Sequence, residues 1–147
     1  MDTASLLKSL NDHEVTYVII GATAFPVHGY VRATLDIDIF IAPIPENAEK
    51  TLQALRSFGY DVTDLSAGEL LTKKILIRQY MVETDIHPYV EGMSFDEVWE
   101  EKIASEYQDI PVYFAGLDSL IKMKEAADRP KDREDLKYLR KLRGKRR

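Results

Sequence analysis

Asp36-Ile37-Asp38 is the segment whose residue types and spacing point most directly to chemistry. If the run LDIDIFIA, Leu35 to Ala42, is a strand, residues i and i+2 share a face and lie about 6.6 Å apart along it. Two carboxylates on one face of an otherwise apolar strand repel each other and are costly to take out of water. A divalent cation between them removes both objections. Ile37, Ile39 and Ile41 then point the other way, into a core, and the aspartate face is left free. The competing reading of this segment alone is an edge strand with one solvated face. A second acidic strand follows at Val82-Glu83-Thr84-Asp85-Ile86-His87, with Glu83, Asp85 and His87 alternating onto one face. Asp36, Asp38 and Asp85 converging from two strands would hold one or two Mg²⁺ ions, the arrangement used for in-line phosphoryl transfer. On this reading Asp38→Asn relieves repulsion in the metal-free protein and leaves the fold intact or more stable.

A third feature lies upstream. The apolar, β-branched run Val15 to Ile20 ends at Gly21, and a helical stretch follows through Ala22 to His28, closed by Gly29. Backbone N–H groups at such a junction are unpaired and electropositive, which suits a phosphate. Gly21 permits close backbone approach, and Thr23 adds a hydroxyl.

These groups need a scaffold, and the rest of the chain reads as one. A helix near Thr3 to Asp12 carries Leu6, Leu7 and Leu10 on one face. Another runs from Pro45 to about Phe58 and stops at Gly59. Asp61-Val62 reads as a short edge strand, and Ser66 to Leu71 as a helical turn. Lys74 to Arg78 and Tyr80 to Ile86 are close enough to form a hairpin. Ser94 and Glu97 make a capping box for a helix through about Ser105. Ile110 to Phe114 reads as a last strand, at an edge because it contains Pro111. Helices from Gly116 to Ala127 and from Asp132 to about Arg143 finish the chain. The expected fold is α/β (α+β): a mixed, twisted sheet of four to six strands flanked by helices, with C-terminal helices alongside.

Composition bounds the function. The chain has 147 residues, enough for one compact domain over residues 1–147. Hydrophobic residues are 45% and charged residues 31%, so wholesale disorder is excluded. There are no cysteines, which excludes disulfides, thiolate catalysis and cysteine-ligated metals. No run approaches the roughly 20 apolar residues of a membrane span. No leader is visible either, so a cytoplasmic protein is expected. The net charge of −5 is uneven: residues 131–147 hold nine Lys/Arg against three acids, and residues 1–130 hold 11 against 22. An acidic body argues against a broad nucleic-acid surface, while the basic tail, about residues 140–147, is a solvated helix end or a local phosphate contact.

Gly21-Ala22-Thr23-Ala24, then His28-Gly29, Arg32, Thr34 and Asp36-Ile37-Asp38, resembles the DNA polymerase β-like nucleotidyltransferase superfamily. More narrowly, with Ser119 to Lys124, Arg129-Pro130-Lys131-Asp132 and Asp135-Leu136, the chain resembles small prokaryotic nucleotidyltransferases related to abortive-infection and toxin–antitoxin enzymes. The likeness runs from about Val15 to Leu139. It implies that Asp36 and Asp38 bind Mg²⁺ and that Asp85 is the third acid, helping to activate the attacking hydroxyl. Gly21 matches the first glycine of the phosphate-binding turn, and Ala22 stands where glycine or serine is usual. Arg32 and Thr34 fall on the loop beside a triphosphate, and Lys122 matches a lysine that reaches phosphate. The implied substrates are an NTP and a hydroxyl acceptor on RNA or protein, with an antitoxin as a further partner. The alternative is a catalytically weak module of the same fold that binds nucleotide or a protein.

Simpler roles stand beside these. His28 reads as a packing residue at a helix end, and Phe95, Trp99 and Tyr138 as packing. Lys131 and Asp132 would cap the last helix and pair internally. Glu83 would be a supporting or solvent-facing acid. His87 either touches metal, nucleotide or acceptor, or hydrogen-bonds locally before Pro88.

Overall fold

The computed structural model describes residues 1–146; Arg147, the end of the basic tail, lies outside the described residues. Six strands form one mixed sheet: β1 (Tyr17–Ile20), β2 (Asp36–Ile41), β3 (Ile75–Gln79), β4 (Val82–His87), β5 (Ile103–Tyr107) and β6 (Ile110–Phe114), in the order β3-β4-β2-β1-β6-β5. Six helices flank it: α1 (Thr3–Asp12), α2 (Pro45–Phe58), α3 (Ala67–Thr72), α4 (Phe95–Glu100), α5 (Leu117–Ala127) and α6 (Pro130–Lys145). The expected α/β fold class is what the structure has.

Two strand pairings place the acidic residues. β1 runs antiparallel to β2, with Ile20 opposite Asp38, while β2 runs parallel to β4, with Asp38 beside Asp85. On β2, Ile37, Ile39 and Ile41 are buried on one face, and Asp36 and Asp38 are half-buried on the other until Phe40 closes that face against Phe95. Tyr60, just past α2, donates its hydroxyl to the Val82 carbonyl and meets the Thr84 hydroxyl at 2.9 Å. That ties α2 to the β4 face opposite Asp85. α5 and α6 pack against each other and border the aspartate face through Leu120, Met123 and Asp132.

Several expected elements come out differently. The helix that starts at Ser94 stops at Glu100, and Ile103–Tyr107, expected to lie partly inside it, is strand β5. β5 is joined to β6 by the two-residue turn Gln108-Asp109, both with positive φ (46° and 69°), the left-handed geometry of a tight hairpin. Neither residue is glycine, which is why the turn is hard to read. β6 is therefore not an edge: it lies between β1 and β5. Pro111 is tolerated because the β1 ladder meets β6 only at Ile19 and Phe114, and the Pro111 carbonyl accepts from Asn11 Nδ2 at 2.7 Å. Asp61-Val62 forms no strand, since Asp61 caps a turn through Thr63. Ala22 to His28 forms two 3₁₀ turns rather than one α-helical stretch, and Pro26 opens the second.

Candidate active site

The parallel register of β2 and β4 brings Asp36, Asp38, Glu83, Asp85 and His87 onto one face of the sheet. Asp38 and Asp85 are direct neighbours, and His87, two residues on from Asp85, reaches across to Asp38 with Nε2 2.8 Å from Oδ1. Ligand atoms of Asp38, Asp85 and His87 all lie within 4.8 Å of one another. Asp36 shares the face but not that cluster: its carboxylate meets Arg78 Nη2 at 3.8 Å and faces Glu83, whose carboxyl it holds above the usual carboxylate range. The convergent trio thus has His87 where the sequence suggested Asp36.

Gly21 is fixed by the same arrangement. It follows Ile20, the residue opposite Asp38, and adopts φ +70°, where a side chain is strained. A Cβ there would fall on the Asp38 Oδ2 atom and lie 3.1 Å from Cγ. The missing side chain makes room for the Asp38 carboxylate.

Basic side chains surround the acids. Arg78 donates to Asp85 Oδ1 at 2.8 Å, and Lys74 lies 3.9 Å from its other oxygen. Burial pushes the Asp38 carboxyl up, but the His87 hydrogen bond and charge, with Lys74 and Lys124, bring it below its ordinary value. His87, Lys74 and Lys124 thus offset the repulsion expected at Asp38 from the neighbouring acids. Among the described residues no buried side-chain polar atom lacks a partner.

Above this floor opens a cleft of about 760 Å³, lined by six basic and six acidic side chains together with His87. That volume lies within the range of small-molecule and cofactor sites. One wall is a buried ion network from three elements. Asp132, fully buried, accepts from Lys124 at 3.0 Å and from Arg129 Nε at 2.7 Å. Asp135, also buried, takes a two-pronged contact from Arg32 (2.8 and 3.0 Å) and the Tyr30 hydroxyl at 3.0 Å. Both carboxyls are pulled down, Asp132 well below the usual range: burial raises them, and the cations and hydrogen bonds more than offset it.

Of the expected phosphate-binding residues, Gly21, Ala22, Arg32 and Thr34 line the cleft. Arg32 is held by Asp135, and Thr34 exchanges hydrogen bonds with the Asp36 backbone. The Thr23 hydroxyl turns away to the Asp36 carbonyl at 3.4 Å and does not line the cleft. Lys122 does not line it either; it is exposed on α5 and acts on Glu97. Lys124, two residues further along the helix, faces the cleft instead. Asp132 caps α6 as expected, accepting from the Arg129 N–H at 3.0 Å, and pairs with Lys124 and Arg129. His28 is buried and packs as expected, with Nε2 2.8 Å from the Ala115 carbonyl. Tyr138 stacks on Tyr30 at 4.8 Å. Lys124 and Arg129 lie within the quoted motif but carry no role of their own there, and Lys74 and Arg78 read only as the ends of a strand; their place beside the acidic strand β4 follows from the β3–β4 pairing.

A family model described as a nucleotidyltransferase of unknown function (DUF6036) matches residues 1–140. The chain belongs to this nucleotidyltransferase family. The match takes in both acidic strands, the Gly21 turn and most of α6. No curated protein matches the chain. The donor set suits the divalent cation that nucleotidyl transfer generally calls for: two carboxylates and an imidazole within reach of one ion. No helix is long and apolar enough to cross a membrane.

Proposed function

We propose that the protein is a divalent-metal-dependent nucleotidyltransferase that moves a nucleoside monophosphate from an NTP to a hydroxyl of RNA or protein. The observation that carries this is the side-by-side placement of Asp38 and Asp85 on the floor of a cleft walled by basic residues. In the reaction an acceptor oxygen bonds to the α-phosphorus, the bond to the β-phosphate bridge breaks, and pyrophosphate leaves. When bound, Mg²⁺ or a similar ion supplies neutralising charge for the triphosphate and a template for in-line geometry. Asp38 and Asp85 hold the ion, and Asp85 accepts the proton of the attacking hydroxyl. Asp36, set against Arg78, tunes the edge of the site. Gly21 and Ala22 bring backbone close to phosphate at the start of a 3₁₀ turn whose first N–H groups have no side-chain cap. Arg32 presents a charge whose position Asp135 fixes, and Arg78, Lys124 and Arg129 complete the cationic wall. Positioning and electrostatics do most of the work. A toxin role, with an antitoxin masking the cleft, fits the same chemistry when the acceptor is an essential RNA or protein.

The test is incubation with α-labelled NTPs, divalent ion and cell extract, followed by nuclease and protease digestion to identify what carries the label. Wild type labels a discrete acceptor, and Asp85→Asn lowers the rate by about 10²–10⁴-fold through loss of the proton acceptor. Undiminished labelling by both Asp38→Asn and Asp85→Asn overturns the assignment.

A further inference from the structure

We propose that His87 is a direct metal ligand, and that the Asp38–Asp85–His87 trio selects a first-row transition cation such as Mn²⁺ over Mg²⁺. The inference rests on the reading of Asp38 and Asp85 as metal ligands and extends it to a third donor and to ion choice.

Three observations converge. First, the register of β4 on β2 fixes His87 on the aspartate face, so the ring is placed by sheet pairing and not by a loop. Second, its side chain is only 13% exposed, and Nε2 already lies 2.8 Å from an oxygen of Asp38. Third, the trio's ligand atoms lie within 4.8 Å of one another. Donors sharing one ion at about 2.1 Å sit about 3–4 Å apart, so side-chain adjustments without strand movement complete the site. Asp36, the other acid of the pair on β2, shares the face but stands outside the cluster.

Ion choice follows from donor chemistry. Mg²⁺ demands oxygen ligands and gives up its waters reluctantly, so two carboxylates serve it as well as the full trio. Transition cations gain from an imidazole nitrogen, which is among their ordinary ligands. A site of two oxygens and one half-buried nitrogen is therefore biased towards the latter.

The experiment measures binding in the absence of nucleotide, so it stands apart from any transfer assay. Mn²⁺ is titrated into the full-length protein, its affinity is compared with that of Mg²⁺ by competition, and the bound Mn²⁺ is examined by pulsed EPR for nitrogen modulation. Wild type should bind one Mn²⁺, prefer it over Mg²⁺ and show coupling to an imidazole nitrogen. His87→Asn, which leaves His13 and His28 in place, should abolish the coupling. It should also weaken Mn²⁺ by at least about 10–100-fold, the cost already typical of losing a group that only supports a ligand, while Mg²⁺ affinity changes little. No Mn²⁺ binding, no nitrogen modulation in wild type, or equal weakening of both ions by His87→Asn overturns the proposal. Equal weakening makes His87 a positioning residue for Asp38. Nucleotide transfer that fails while the nitrogen coupling is present sinks the proposed activity and leaves the metal site standing.

Discussion

Replacing Gly21 by alanine tests whether the glycine serves the Asp38 carboxylate. The substitution carries two costs that the structure separates. The first is conformational: at φ +70° an L side chain costs about 1–2 kcal/mol whatever surrounds it. The second is steric: the new Cβ falls on Asp38 Oδ2 and lies 3.1 Å from Cγ, so the carboxylate must rotate away. Rotation breaks the hydrogen bond with His87, a contact to a carboxylate worth about 1.5–3 kcal/mol. Together, Gly21→Ala should destabilise the metal-free protein by about 2.5–5 kcal/mol. In an Asp38→Ala background the carboxylate and its hydrogen bond are already gone, and only the conformational cost of about 1–2 kcal/mol remains. The approach of the new methyl to the Asp38 Cβ, 3.3 Å, is present in both backgrounds and cancels. Gly29→Ala is the control: φ is +103°, and the nearest atom to its Cβ is Leu142 Cδ2 at an ordinary 3.5 Å. Urea denaturation of the four proteins of the cycle, followed by circular dichroism in chelator, gives the coupling directly. A coupling below about 0.5 kcal/mol, the additivity expected of independent sites, refutes the argument that the glycine is there for Asp38.

The buried charges lead to two further expectations. Asp132→Asn leaves Lys124, 13% exposed, with Asp135 alone at 3.3 Å, and should cost about 1.5–3 kcal/mol in urea titrations, the worth of a hydrogen bond to a charged group. Arg129→Ala removes a partner that is 56% exposed and should cost no more than about 1 kcal/mol; equal losses contradict the placement of Asp132. His28 is held neutral: burial lowers its pKa below 6.5, the Ala115 carbonyl partly opposes this, and the charge of Arg146 adds to it. The unfolded chain therefore takes up the proton first, so this stability is present above about pH 6.5 and is lost as pH falls towards the lower folded value. His28→Gln keeps a donor for Ala115 and should flatten the melting-temperature profile between about pH 5 and 7; a variant that parallels wild type across that range refutes the neutral assignment.

What the sequence made legible was local, and the physics says why. The alternation of Asp36-Ile37-Asp38 and of Glu83 to His87 is a property of single strands, so the shared face of each set could be read directly. The Ser94–Glu97 capping box and the left-handed stop at Gly59 are equally local, and both are present. Whether the two acidic faces met depended on β2 and β4 being adjacent, parallel and in register at Asp38 and Asp85, pairing that no spacing within either strand encodes. A register slip of one residue would have turned Asp85 and His87 to the core and brought Thr84 to the cleft. All three acids share one face, with Asp38 and Asp85 side by side; the nearness of His87 to both depends on the same β2–β4 register. The choice between Lys122 and Lys124 shows the same limit on a helix. Two residues of an α-helix turn the side chain by about 200°, so one lysine meets solvent and the other the cleft. Which of them faces inward is decided by where α6 packs, and that depends on Asp132 and Asp135 finding Lys124 on α5 and Arg32 before β2 from outside their own helix. The buried ion network therefore sets the orientation of α5, and through it which cations the cleft presents to an anionic substrate.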